Sequence, residues 1–445
     1  MNLPLKGSPS EIAPTRKKNP VGTRNVPMKI LFLSPWLPWP PFGGALIRIL
    51  KTLSYLSRRN RVTFLAPVRH PEEAKYISAL NGLCERVITT TLSDETQVVL
   101  RRLLTGLFRG RPLIQSLHYD RSLAEQIHRL TSTEVYDIIH VEFSFMSPYL
   151  ACVNPRSEAK KVLSMHNIES LRFARELKFA RGMRRLALLS DHTLFKFWEE
   201  KSLCQFDGIL AVSPSDQAWI RRHAPAATVN LVPNGVDIDY FSLADQSVSS
   251  RCIVFTALMN YPPNIDAVLW FCDEILPTLQ SKYPEIFFKI VGDKPGRTVQ
   301  TLGRRSGVEV TGRVPDVRPY LSDSLAVVVP LRSGGGTRLK ILEAMAMGRP
   351  VVSTHQGAEG LEVTDGVNIL LADRPQEFAN HIFALLADPQ LGRRLGSAGR
   401  KLVETKYDWG TCLNNMENFY QKLLGDSPMA PEATEMHSSC GQFLQ

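Results

Sequence analysis

From residue 28 onward the chain alternates two kinds of apolar pattern. Short runs that are apolar at nearly every position, such as Lys29-Ile-Leu-Phe-Leu-Ser-Pro35 and Arg61-Val-Thr-Phe-Leu-Ala-Pro67, are separated by stretches in which apolar residues recur at helical spacing, as at Ile47, Leu50, Leu53 and Leu56. The first kind predicts strands buried on both faces, and the second predicts the helices that cover them. Further strands are predicted at Arg86-Val-Ile, Asp137-Ile-Ile-His-Val141, Lys161-Val-Leu-Ser-Met165, Gly208-Ile-Leu-Ala-Val212 and Val229-Asn-Leu-Val232. After the turn dipeptide Asn234-Gly235 the alternation restarts, with Ile253-Val-Phe, Phe287-Phe-Lys-Ile-Val291, Val308-Glu-Val310, Leu325-Ala-Val-Val-Val-Pro330, Val351-Val-Ser353 and Asn368-Ile-Leu-Leu371. Helices are predicted over 378–403 and 409–424. The fold class is therefore α/β, with two doubly wound domains, 27–235 and 236–405, while 1–26 and 425–445 read as disordered polar tails. Ligands of such sheets sit at the carboxyl ends of the strands, which makes the cleft between the domains the candidate site.

Composition narrows the class of protein. The chain has 445 residues, 22% of them charged and 44% hydrophobic, which suits a globular protein of two or three domains. No apolar run approaches the ~20 residues that cross a bilayer, and the leading segment lacks the apolar core of a secretory signal, so a cytoplasmic enzyme is expected. Seven cysteines without any Cys-x-x-Cys spacing point to reduced thiols. The net charge of +10 calls for an anionic partner, whether nucleic acid, lipid headgroup or phosphorylated substrate, yet no nucleic-acid-binding motif is present.

Two glycine loops open into helices. Gly43 and Gly44 precede the helical pattern that begins at Ile47. Gly334, Gly335, Gly336 and Thr337 precede Arg338, Lys340 and Glu343 in Ser333-Gly-Gly-Gly-Thr-Arg-Leu-Lys-Ile-Leu-Glu-Ala-Met-Ala-Met-Gly-Arg-Pro350. Glycines let the backbone approach a ligand, and a helix N-terminus offers free N–H groups and a positive dipole end to an anion. Lys340 and Glu343 lie three residues apart and share a helix face, opposite Leu339, Leu342 and Ala346. The same spacing also fits a glycine loop ahead of a core helix with a surface Lys/Glu pair.

Several segments, taken in order, carry a family resemblance: Pro41-Phe-Gly-Gly-Ala45, Met165-His-Asn-Ile168, Phe206-Asp-Gly-Ile-Leu-Ala-Val-Ser213, Val232-Pro-Asn-Gly-Val-Asp237, Phe255-Thr-Ala-Leu-Met259, Ile290-Val-Gly-Asp293, Thr311-Gly-Arg-Val-Pro315 and Leu342-Glu-Ala-Met-Ala-Met-Gly-Arg-Pro-Val-Val352. Over residues 28–424 the chain resembles the retaining glycosyltransferases of family 4 (glycosyl transferases group 1), which have the GT-B architecture. It is also similar to the sugar transferases of bacterial exopolysaccharide systems. The resemblance implies an N-terminal acceptor domain, a C-terminal nucleotide-sugar domain, and a helix at 406–424 returning to the N-terminal domain. The partners it implies are a nucleotide-sugar donor and a saccharide or lipid-linked acceptor.

The resemblance also assigns roles. Glu343 matches the second glutamate of the family's Glu-x7-Glu pattern and would hold the ribose. Gly335 stands where the first glutamate, which helps to hold the sugar, is expected. The Arg and Lys that many members carry for the diphosphate are absent from Asn260-Tyr-Pro-Pro-Asn264. Arg338 and Lys340 are expected to supply that charge instead, aided by amides of the Gly334, Gly335 and Gly336 loop with Thr337 and by Gly43 and Gly44. His166 is the catalytic candidate, expected to contact the transferred sugar rather than to act as a nucleophile. Asp237-Ile-Asp239 spells a metal motif of another architecture, but no carboxylate cluster completes it, so no cofactor and a metal-independent reaction are expected.

A basic stretch, Arg172, Arg175, Lys178, Arg181, Arg184, Arg185, Lys196 and Lys201, is interleaved with Leu, Phe and Trp198. It reads either as a peripheral contact with an anionic membrane on its inner face or as a solvated helix face. Two other functions fit the same architecture: a nucleotide-sugar epimerase and a non-catalytic nucleotide-sugar-binding protein.

Overall fold

The structure, a computed structural model, describes residues 27–41, 43–177, 181–243, 251–334 and 338–425. Among these residues, two parallel sheets form, each flanked by helices. The first contains β1 (Lys29–Leu33), β2 (Arg61–Val68), β3 (Arg86–Thr91), β4 (Ile138–Glu142), β5 (Lys160–Ser164), β6 (Gly208–Ala211) and β7 (Thr228–Leu231), in the order β3-β2-β1-β4-β5-β6-β7. The second contains β8 (Cys252–Thr256), β9 (Phe287–Val291), β10 (Val308–Gly312), β11 (Ala326–Val329), β12 (Val351–Ser353) and β13 (Leu370–Leu371), in the order β10-β9-β8-β11-β12-β13. Both are the predicted doubly wound sheets. Their central strands are buried on both faces: every residue of β4, β6, β8, β11 and β12 is buried.

Strand order reverses between β1 and β4 in the first sheet and between β8 and β11 in the second, and crevices at the carboxyl ends of such switch points receive ligands. Register carries side chains into line there. Phe32 of β1 lies beside Phe64 on one side and His140 on the other, and His140 stacks on Phe32 with ring centres 4.3 Å apart.

The chain crosses between the sheets twice, side by side. Val236 N donates to Tyr407 O at 2.8 Å, and a Cβ on Gly235 would come within 2.8 Å of the Trp409 ring. The glycine of the Asn-Gly pair is thus required by close approach of the returning chain. The last helix, Trp409–Gly425, then lies on the first sheet, with Trp409, Leu413, Met416, Tyr420 and Leu423 in that sheet's core.

One predicted helix is divided. The stretch read as a single helix over 378–403 forms Pro375–Ala387 and Pro389–Leu402. Pro389 has no N–H and disfavours helical geometry at the preceding residue, so Asp388 ends one helix and caps the next by accepting from Gln390 N. Cys84, Cys152, Cys204, Cys252, Cys272 and Cys412 are free thiols, and no described helix is long and apolar enough to cross a membrane.

Candidate functional site

The first sheet contributes a buried polar relay. His140 and Glu142, two residues apart on β4, share a face of the sheet, and His166 follows the end of β5 beside them. The Glu142 carboxylate joins both rings, with Oε2 2.6 Å from His166 Nε2 and Oε1 3.0 Å from His140 Nε2. On the far side the Tyr420 hydroxyl, from the last helix, shares a hydrogen bond with His140 Nδ1. All four residues are buried. Burial works to raise the Glu142 pKa, yet the two imidazoles and their hydrogen bonds win and hold it well below the carboxylate range. Burial pushes the His166 pKa down, against the pull of Glu142, so the neutral ring is favoured.

These directions define hydrogen positions. A carboxylate only accepts, so the Nε2 atoms of both histidines must carry hydrogens. Neutral His166 then keeps Nδ1 as an acceptor. Its ring lies 3.9 Å from that of Phe143 at an interplanar angle of 13°. Phe143 has a φ of 69°, a conformation that costs an aromatic residue backbone strain and is tolerated where surrounding structure imposes it. His166 stands out in the sequence, whereas Glu142, His140 and Tyr420 do not. The available signal was His-Val-Glu within an otherwise apolar buried strand, since two polar groups on one buried face must find partners.

The second sheet contributes the glycine loop and helix after β11. Gly334 has a φ of 105°, which a residue with a side chain rarely adopts. Gly335, Gly336 and Thr337 lie outside the described residues. Arg338, which is buried, precedes the helix Leu339–Ala346. Burial lowers the Arg338 pKa, with Tyr261 and Glu359 opposing. Lys340 Nζ donates to Asn264 Oδ1 at 3.3 Å and stands 4.0 Å from the centre of the Phe255 ring. Its pKa is pushed well below the ordinary lysine value by burial and then by Arg338, with Glu343 pulling the other way. Glu343, buried on the same helix face, is pushed up by burial, and Lys340 opposes that shift. Asn264, from the segment without the expected cations, is thus a partner of the lysine.

The two halves meet at glycine. Gly43, at a φ of 95°, caps the helix Gly44–Ser57, and a Cβ on Gly44 would lie 3.4 Å from Leu339 at the start of the opposite helix. From the same helix Arg48 donates to Asn234 Oδ1 at 2.8 Å, and Lys51 pairs with Asp237 at 2.9 Å. Asp237, the first carboxylate of Asp237-Ile-Asp239, also accepts from Tyr240 N. Among the described residues no three His, Cys, Asp or Glu side chains gather as metal ligands.

Two hollows open between the sheets. Glu343 lines one with Lys51, Asp237, Tyr240 and Phe241. Asn167, next to His166, lines another with Arg175, Ser213, Asp216 and Glu359. Of the candidate residues Glu343 lines the first hollow, while His166, Arg338 and Lys340 line neither.

Comparison with known proteins decides the family. A model of Glycosyltransferase Family 4 matches residues 42–240, and a model of glycosyl transferases group 1 matches residues 250–388. The chain belongs to the family 4 glycosyltransferases. This glycosyltransferase is 22% identical over 371 residues to an uncharacterized 44.6 kDa protein in the cps region of Klebsiella pneumoniae, covering 80% of this chain and 90% of that protein. Its GT-B fold is similar to that of sucrose-phosphate synthase from Thermosynechococcus elongatus, with a TM-score of 0.64 and 18% identity over 89% of this chain and 99% of that one. The Anabaena protein HepE, in complex with UDP and glucose, is similar with a TM-score of 0.61 and 16% identity, covering 88% of this chain and 99% of HepE.

The basic stretch of the glycosyltransferase is divided in its contacts. Arg172 pairs with Glu169 and Glu176, both at 2.6 Å, and Arg175 pairs with Glu359 across the cleft at 2.7 Å. Lys178 lies outside the described residues, as does the side chain of Arg184. Exposed apolar residues gather farther along, at Met183, Leu186, Leu189 and Phe197, and on the helix Thr96–Phe108 at Leu100, Leu104 and Phe108. Trp198 Nε1 donates to Gly110 O at 2.8 Å and joins the two regions.

Proposed function

We propose that this glycosyltransferase moves a sugar from a nucleoside diphosphate sugar to a hydroxyl of a saccharide or lipid-linked saccharide, with retention of anomeric configuration. The observation that carries the reading is the buried helix Leu339–Ala346, which presents Lys340 and Glu343 on one face beside the positive-φ turn at Gly334. Glu343 takes the ribose hydroxyls. Lys340 and Arg338 stabilise the departing diphosphate together with the loop of Gly334, Gly335, Gly336 and Thr337 and, across the cleft, Gly43 and Gly44, so the reaction needs no metal ion. His166 contacts the transferred sugar, with Nδ1 accepting from a hydroxyl. Transfer on one face, with the acceptor entering as the diphosphate leaves, places most of the catalytic burden on stabilising that leaving group.

The complex of HepE with UDP and glucose supports a nucleotide-sugar donor, and the cps-region relative supports a role in exopolysaccharide synthesis. The exposed apolar residues beside Arg101, Arg181 and Arg185 support peripheral attachment to the inner face of an anionic membrane. Binding in flotation that is equal with and without phosphatidylglycerol would remove this last part. For the reaction, UDP-, GDP- and ADP-sugars that raise the melting temperature are to be incubated with acceptors and the products followed by proton NMR. The donor's anomeric configuration is expected in the product. An inverted product overturns retention, donor conversion without acceptor identifies an epimerase, and stabilisation without turnover identifies a binding protein.

A further inference from the structure

The loop ahead of the donor helix has no side chain at 334, 335 or 336 with which to meet a sugar. Hydroxyls in a closed cleft need partners, and sites that hold a sugar in one orientation supply them as fixed polar groups. The neighbouring loop, after β12, carries a carboxylate to this place. Glu359 Oε2 accepts from Gln356 Nε2 at 2.5 Å, and the same amide nitrogen donates to the Gly334 carbonyl at 3.3 Å. The Glu359 carboxylate is thereby tied to the peptide group directly before position 335. β11 and β12 are adjacent in the sheet, so both loops leave it at the carboxyl ends where ligands bind.

From the other domain, Arg175 closes on this group. Its two terminal nitrogens meet the two carboxylate oxygens of Glu359 at 2.9 and 2.7 Å, and Nη1 also reaches the Gly334 carbonyl at 3.4 Å. The pair sits on the hollow that begins at Asn167, beside His166, and each side chain is 35% exposed. An ion pair this open to water is weak and can be exchanged for sugar hydroxyls at little cost.

We infer that Glu359 is the sugar-binding carboxylate of this enzyme, holding hydroxyls of the donor's sugar ring from the β12 loop in place of the carboxylate that position 335 lacks. Arg175 screens it while the cleft is empty and gives way to the sugar hydroxyls. This inference rests on the proposed nucleotide-sugar reaction and deepens it.

Calorimetric titration of UDP and UDP-glucose, GDP and GDP-mannose, and ADP and ADP-glucose into the full chain separates the sugar's share of binding from the nucleotide's. If none of the six binds the wild type, the proposed function itself fails. With a binding pair in hand, Glu359→Ala is expected to weaken the nucleotide sugar about tenfold or more, as loss of a charged hydrogen-bond acceptor does, while the bare diphosphate changes less than about twofold. Glu359→Gln, which keeps the shape and serves if the alanine variant does not fold, is expected to lose part of the same affinity. Arg175→Ala is expected to retain nucleotide-sugar affinity. Equal losses for sugar-bearing and bare nucleotide in Glu359→Gln, no loss in either, or a selective loss in Arg175→Ala as large as in Glu359→Ala would overturn the assignment and leave a structural interdomain pair.

Discussion

Alanine at Glu142 is expected to cost about 2–6 kcal/mol of stability, because it strands two buried N–H donors at about 1–3 kcal/mol each. The carboxylate is the acceptor for Nε2 of two buried rings, 2.6 Å from His166 and 3.0 Å from His140. Without it, two buried donors lose their partner, and His166 loses the bond that orients its ring. Turnover is therefore expected to fall about 10²-fold, the scale on which misplacement of a reacting contact is felt. Glutamine keeps the shape but opposes an N–H donor with its own amide N–H₂, so Glu142→Gln should fold better than alanine while kcat remains low and KM moves little.

Because the folded-state pKa of Glu142 is depressed, its contribution to stability is fully present above the unfolded value of about 4.3 and is lost as pH falls toward the folded value. Chemical denaturation of wild type and Glu142→Gln should therefore show a stability gap at neutral pH that narrows below about pH 4. A gap independent of pH, or a variant with normal turnover, would remove Glu142 from the relay.

Replacing Glu343 with alanine is expected to weaken nucleoside diphosphate binding by about 10²-fold or more, the sum of two charge-assisted hydrogen bonds to ribose hydroxyls. Stability without ligand should stay level or rise. Burial already disfavours the charged form of this carboxyl, so its removal relieves a cost that the empty fold carries. The same titration reports on Lys340. Its pKa is lowered in the free protein, and a bound diphosphate favours the charged ammonium, so at a pH between the free and bound values binding should take up a proton, and affinity should weaken as pH rises through that interval. Heats that do not vary with buffer ionisation enthalpy at any pH from neutral to alkaline would exclude Lys340 from the anion site, and unchanged affinity in Glu343→Ala would exclude the ribose role.

What could be read from the sequence divides along physical lines. Strands such as β8 and β11 are apolar because both faces are covered, so local pattern alone announced them, and the restart after Gly235 announced a second sheet. The division at Pro389 is a local rule too, but the helical spacing on both sides concealed it. Glu142 was hidden because its partners come from β4, from the chain after β5 and, through Tyr420, from a helix 280 residues beyond His140. No window of sequence contains that relay. Arg172 and Arg175 were grouped with a basic surface, but their carboxylate partners Glu169, Glu176 and Glu359 draw them inward. Glu359 has no periodic or motif signal of its own. It became noticeable only because the fold sets its loop against Gly334.

The central claim is that the two sheets form one catalytic cleft, with the nucleotide held near Glu343 and the sugar worked upon beside His166. It is tested most directly by following nucleoside diphosphate release with saccharide and lipid-linked saccharide acceptors, in wild type and in His166→Ala, alongside diphosphate affinity. The prediction is acceptor-dependent release by the wild type, and a variant that binds the diphosphate normally but releases it about 10²-fold or more slowly, the scale of a lost contact at the reacting centre. Full-rate release by His166→Ala, or no release by the wild type with any donor that binds, would contradict it.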